Sequence, residues 1–392
     1  MSITPTWRRG VAVATVLALA APACAAAASD DDSVRINEIQ MIGTHNSYHA
    51  GLTPGVATLL QQKAPVVFAG LDYQHPDLAA QLSSGVRQVE LDIYADAAGG
   101  RYAQPKGPLL VTAAGLPADP DPDPQNLMLK PGFKVMHIQD IDYVSNCQPF
   151  VACLARIRAW SKAHPRHAPI FILIETKQDV PKAPIPLTEP EKFTPAVFDA
   201  LDAEIRSVFK PNEMIVPDQV RGHFTTLEAA VKAKRWPTLG QARGKVVFLM
   251  DQRAVGPVYL DGHPSLKGRV IFTNAEPGQP DAAFTEQNDG TPDAIDTLVR
   301  QGYLVRTRTD SDTKEARTND TSRRDLVMAS GAQFLSTDYP PAEPAKWPGG
   351  YAVRFAGAAP VRCNPVLRPV RCRDEGLDQA GPPLKQSAAA AR

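Results

Sequence analysis

The sequence predicts one α/β domain of the (β/α)₈ TIM-type barrel class, with long loop excursions and a C-terminal tail. Three observations predict it. Eight short apolar runs recur along the chain, most of them separated by stretches of helical periodicity. One run, 169–174, is almost wholly apolar, as in parallel strands covered on both faces. Four runs end abruptly in polar side chains, as strands do at the rim where barrels carry their active sites.

The elements follow in order. Arg8 and Arg9 precede an apolar run over 11–21 and a small-residue stretch over 23–28, the order of a secretory leader cleaved before Ser29. Cys24 would leave with that leader, since Ala21, Pro22 and Ala23 make a poor lipidation site. The first strand is expected over 36–43. A helix over 76–84, with Leu78, Ala79 and Leu82 on one face, is closed by Gly85, and the second strand covers 86–93. Residues 95–130 are rich in Pro, Gly and Asp and are read as a surface excursion beside the site that holds no regular helix. The third strand is expected over 133–138, then an amphipathic helix over 150–164 and the fourth strand over 169–174. A second Pro-rich excursion, 179–190, leads to helices over 194–209 and 226–234. Strands five to eight are placed at 245–250, 269–273, 303–307 and 334–337, with helices at 291–301 and, capped by Asp320, at 322–330. A closed barrel leaves no sheet edge unpaired. The domain then spans 29–340, and 341–392 form a Pro-rich tail.

Composition narrows the function. Over 392 residues, hydrophobic residues are 43% and charged ones 21%, the balance of a globular domain. Lys+Arg and Asp+Glu are 42 each, and there is no basic strip with interleaved aromatics, which sets nucleic acid aside. No obligate protein partner is indicated, and no amphipathic membrane helix is evident; membrane contact would be transient. Past the leader, Cys147 and Cys153, and Cys363 and Cys372, fall as two close pairs in an exported chain, the pattern of two local disulfides. Zinc is disfavoured because CxxC spacing and a nearby His pair are both missing.

The strand ends carry the chemistry. His45 and Asn46 end the first strand, Glu90 and Asp92 the second, His137 the third, and Glu175 and Lys177 the fourth. Residues two apart share a strand face, so Glu90 and Asp92 point together, as do Glu175 and Lys177. Adjacent carboxylates repel unless a cation or proton lies between them. Asn46, Glu90, Asp92 and Glu175 offer hard oxygen donors and three negative charges, which suits Ca²⁺ ahead of Mg²⁺ and excludes a soft metal. His45 and His137 could then work as an acid/base pair. Each piece alone is commonplace, a strand-end His being more often a packed residue than a catalytic one; their joint placement on one rim is not. Arg306 and Arg308, two apart near the end of the seventh strand, could face an anionic substrate or pair with surface carboxylates such as Asp310. His49 and His75 are assigned no role.

These residues carry a family likeness. The stretches Ile42-Gly43-Thr44-His45-Asn46-Ser47-Tyr48, Val89-Glu90-Leu91-Asp92, Val135-Met136-His137 and Ile174-Glu175-Thr176-Lys177 resemble the secreted bacterial Ca²⁺-dependent phosphoinositide-specific phospholipases C. So do 305–310 and 330–340. The resemblance implies a PLC-like phosphodiesterase barrel that cleaves phosphatidylinositol to diacylglycerol and a cyclic inositol phosphate. It implies His45 and His137 as the catalytic histidines, Asn46, Glu90, Asp92 and Glu175 as calcium ligands, and Lys177 beside the phosphate or inositol ring. The glycerophosphodiester phosphodiesterases share the barrel, the two histidines and the Glu-x-Asp. They usually carry Arg after the first His, where this chain has Asn46. Glycerophosphodiester cleavage, and a non-catalytic barrel binding sugar phosphates or glycans, are the alternatives.

Overall fold

The structure is a computed structural model that describes residues 1–2, 31–183 and 185–381. Apart from its first two residues, the leader expected over 1–28 lies outside the described residues. Ten strands are described: β1 (Ile39–Thr44), β2 (Gln88–Tyr94), β3 (Lys134–Val135), β4 (Ile170–Thr176), β5 (Val246–Met250), β6 (Ile271–Phe272), β7 (Phe284–Glu286), β8 (Leu304–Arg308), β9 (Phe334–Thr337) and β10 (Val361–Cys363). Eight of them run parallel in the order β6-β5-β4-β2-β1-β9-β8-β7. Between β6 and β7 the join is slight: Asn274 bridges Phe284, and Ala275 N donates to Phe284 O at 3.1 Å. The barrel is therefore nearly closed, where full closure was expected. Phe171 on β4, Phe284 on β7 and Phe334 on β9 come from strands that are not all neighbours, yet their rings meet at 4.5 and 6.2 Å, so they fill the barrel interior.

The eight staves are not the eight predicted. The run 133–138 supplies only the two-residue β3, which pairs antiparallel with the end of β2 (Ile93 with Val135, Tyr94 with Lys134). The chain then folds back in a tight hairpin, with Asp142 N donating to Ile138 O at 2.9 Å. A short apolar run announces burial, not the direction of pairing. The stave missed is β7. It is three residues long and follows β6 without an intervening helix, so the strand–helix alternation that marks the others is missing.

Most predicted helices form, with their caps. Asp77 accepts from Ala79 N and Ala80 N at the start of Leu78–Ser83, and Thr194 and Thr291 cap Pro195–Val208 and Pro292–Gln301 in the same way. The excursion over 95–130 does contain a helix, Gly107–Ala113. Its Pro108 falls in the first turn, where a missing N–H removes no helical bond. Helices Pro54–Lys63 and Pro65–Leu71 follow β1 and were not anticipated.

Both disulfides, Cys147–Cys153 and Cys363–Cys372, are formed. The tail adds β10 antiparallel to β1 and ties Asp378 to the buried Arg87 by an ion pair.

Candidate active site at the carboxyl rim

β1 delivers the first imidazole. His45 N donates to Thr337 O at 3.0 Å, continuing the β1–β9 ladder past the last strand residue. Its Nδ1 donates to Asp338 Oδ1 at 2.8 Å, and its Nε2 lies 3.8 Å from Glu90 Oε1. Burial, with Arg308 and Arg306 nearby, holds the ring well below the usual histidine range, so it is neutral at neutral pH. Asn46 takes a left-handed φ of 46°, a conformation Asn tolerates, and this turns the chain off the strand. The Ser47 hydroxyl accepts from Glu90 N at 2.8 Å and fastens that turn to β2. Asn46 is buried; its Nδ2 donates to Tyr73 Oη at 2.8 Å, and its Oδ1 has no hydrogen-bond partner.

Glu90, Asp92 and Glu175 converge, each offering one oxygen within 4.8 Å of the others. β2 and β4 pair in register, with Asp92 opposite Glu175. Lys177 Nζ lies 3.1 Å from Asp92 Oδ2 and 2.9 Å from Glu175 Oε1. Burial pushes Asp92 well above the ordinary carboxylate range, with Glu175 adding to the shift. Burial also raises Glu90, to about 7, against the pull of Arg306. At Glu175 burial works in the same sense, but Lys177 outweighs it and the net shift is downward. This is crowded negative charge, which a divalent cation would relieve. Three carboxylates in reach of one point, with Asp92 Oδ1 unpartnered, make an all-oxygen donor set that fits Ca²⁺.

The second imidazole arrives differently. His137 sits on the hairpin after β3, not at the end of a barrel stave as the sequence reading had it. Tyr94 Oη donates to its carbonyl at 3.0 Å, and its Nδ1 donates to Asp142 Oδ2 at 2.8 Å. His45, His137, Arg308 and Asp338 line one cavity of about 710 Å³, and His137, Glu175 and Lys177 line its neighbour.

The two arginines part company. Arg308 lines the cavity and donates to Asp310 O at 3.0 Å and Asp338 Oδ2 at 3.3 Å. Arg306 is buried; it pairs with Glu90 Oε2, donates to Ser336 Oγ at 3.0 Å and Asn288 Oδ1 at 2.8 Å, and lies 3.6 Å from Glu286 Oε1. Sequence reasoning missed the carboxylates behind the imidazoles, Asp338 and Asp142. Asp338 follows directly on the eighth predicted strand, so the rim rule alone would have found it. Asp142 had no comparable signal.

The decisive comparison is with protein families. Residues 34–365 match the model of the family described as phosphoinositide phospholipase C, Ca²⁺-dependent. The chain belongs to that family. It is thus a member of a family of enzymes whose Ca²⁺ dependence accords with the carboxylate trio. The fold agrees with solved structures of other phosphoinositide phospholipases C. A calcium-dependent phosphoinositol-specific phospholipase C from Pseudomonas sp. is 16% identical at a TM-score of 0.50, over 86% of this chain and 98% of that one. A Ca²⁺-dependent phosphatidylinositol-specific phospholipase C from Streptomyces antibioticus is 19% identical at 0.50, over 78% and 95%. No curated protein matches the chain. Among the described residues no helix is long and apolar enough to cross a membrane.

Proposed function

We propose that this member of the family is a secreted phospholipase C that cleaves phosphatidylinositol with Ca²⁺, releasing diacylglycerol and a cyclic inositol phosphate. The observation that carries the reading is two imidazoles, each tied through Nδ1 to a carboxylate, on one cavity beside three converging carboxylates. The two disulfides suit an exported chain.

Asn46, Glu90, Asp92 and Glu175 would hold the calcium ion. Bound there, it would neutralise phosphodiester charge and lower the pKa of the inositol 2-hydroxyl. That hydroxyl belongs to the same molecule as the phosphorus it attacks, so no entropy is lost in recruiting a nucleophile. Neutral His45, its Nδ1 committed to Asp338, accepts the hydroxyl proton at Nε2 as the oxygen–phosphorus bond forms. His137 donates a proton from Nε2 to the glycerol oxygen as its bond to phosphorus breaks. Glu90 is the poorer candidate for the base because Arg306 already engages its carboxylate. Lys177 and Arg308, at the cavity walls, would meet the phosphate or the inositol hydroxyls, whereas Arg306 would act from behind by fixing Glu90.

A panel of phosphatidylinositol and glycerophosphoinositol, each with calcium and with chelator, tests the reading. Calcium-dependent release from the lipid, well ahead of the deacylated substrate, is expected. Preference for glycerophosphoinositol would move the chain to glycerophosphodiester cleavage, and inactivity on both would leave a binding barrel.

A further inference from the structure

His137 lies on no barrel stave, so something other than the sheet must aim its ring. Its Nδ1 partner, Asp142, is fully buried and has a second imidazole against it. His49 Nε2 lies 2.9 Å from Asp142 Oδ1 and 2.9 Å from Oδ2. His49 is itself fully buried and comes from the segment after β1. Its backbone is held at both ends: His49 N donates to Asn46 O at 2.8 Å, and His49 O accepts from His75 N at 2.8 Å. Its ring packs on Tyr73 at 4.6 Å between centroids. His49 also bridges Ser145, just past the hairpin.

We infer that His49 is a positioning residue for His137: through the shared Asp142 carboxylate it fixes the orientation and tautomer of the His137 ring. The inference rests on the acid role proposed for His137. The terminal torsion of an aspartate is broad, so one hydrogen bond leaves the carboxylate plane loosely set. His49 lies within reach of both oxygens and sets that plane. Oδ2 is thereby aimed at His137 Nδ1, and Nε2 is left as the ring nitrogen free to exchange a proton with substrate. The arrangement also satisfies a buried anion: burial alone would raise Asp142, but His49 first, and His137 with it, hold it well below the usual carboxylate range. The segment after the barrel's first strand thus locks a hairpin that the barrel itself does not contain.

Nitrogen-15 NMR of histidine-labelled protein, with kinetics, tests this. In the wild type, His137 is expected as a single Nδ1–H tautomer when neutral, and the His49 Nε2–H as a protected, low-field proton. His49→Leu is expected to mix the His137 tautomers. It should lower kcat on phosphatidylinositol roughly 10–100-fold while KM stays within about twofold, the usual scale for losing a partner that orients a reacting ligand. His49→Gln, which still offers an N–H to Asp142, is expected to recover most of that loss. An inositol phosphate ester with a 4-nitrophenyl leaving group, which needs little protonation, should be cleaved by His49→Leu within about threefold of wild type. An unchanged His137 tautomer in His49→Leu, or a KM effect with kcat intact, overturns the inference. If His49→Leu does not fold, the wild-type spectrum decides, and absence of the protected His49 proton overturns it. A wild type inactive on phosphatidylinositol would defeat the proposed function, while the tautomer would still decide this inference.

Discussion

His45 and His137 each commit one nitrogen to a carboxylate, Asp338 and Asp142, and keep the other for substrate. For His45 this predicts a large effect from a small change. Asp338→Asn keeps the volume but removes the anion that selects the Nδ1–H tautomer, and kcat is expected to fall at least about 100-fold, with the loss read in steady-state kinetics. A loss under about threefold would remove Asp338 from the account. Another histidine, His167, contributes to stability. His167 is buried, with Nε2 2.7 Å from Ser161 Oγ and Nδ1 on the Ala168 carbonyl. Burial lowers it to about 4. The unfolded chain therefore takes up this proton before the folded one does. The contribution of His167 is complete above the unfolded value near 6.5 and is lost as pH falls towards 4, about 3 kcal/mol in all. Urea unfolding at pH 7 and pH 4.5 should show His167→Gln losing less stability on acidification than wild type. Equal losses would contradict the assignment.

β1 and β2 approach closely enough to constrain sequence directly. They pair at Gly43 and Gln88, and a Cβ on Gly43 would meet Gln88 Cβ at 2.9 Å. That neighbour cannot move without its strand. Gly43→Ala is therefore expected to cost about 1–3 kcal/mol in chemical unfolding and to lower activity by shifting His45 against Glu90. An unaffected melting curve would mean the two strands are freer than they look. The sequence made β1, β2, β4, β5, β6, β8 and β9 legible because each is an apolar run bounded by turn or cap residues. It made the carboxylate trio legible because alternation puts Glu90 and Asp92 on one face and Glu175 ends a neighbouring apolar run at the same rim; the register that sets Asp92 opposite Glu175 is seen only in the structure. It hid β7, which is short and reached without a helix, and it mistook the hairpin bearing His137 for a stave. Hydrophobic patterning reports burial. It does not say which burying partner a two-residue strand will choose, and it gives no signal for Asp142, which holds an imidazole from a hairpin that no barrel strand announces.

Across the whole molecule, the rim concentrates anionic oxygens on a scaffold fastened far from the chemistry. The tail closes over the first strand through β10, and Asp378 pairs with Arg87. A cation bound only by the folded arrangement of Glu90, Asp92 and Glu175 must stabilise the fold by mass action, about 2.7 kcal/mol at a hundredfold excess over its dissociation constant. Calcium is expected to raise the melting temperature of wild type and to leave Asp92→Asn nearly unmoved, with magnesium the weaker ligand. Whether the carboxylate trio holds a catalytic calcium ion is decided by the initial rate of soluble inositol phosphate release from phosphatidylinositol, measured against free calcium in wild type and in Asp92→Asn. A saturable calcium dependence is expected in wild type, abolished by chelator and displaced far to higher calcium, or lost, in the variant. Equal rates in chelator and in calcium, or identical calcium curves for the two proteins, would contradict it.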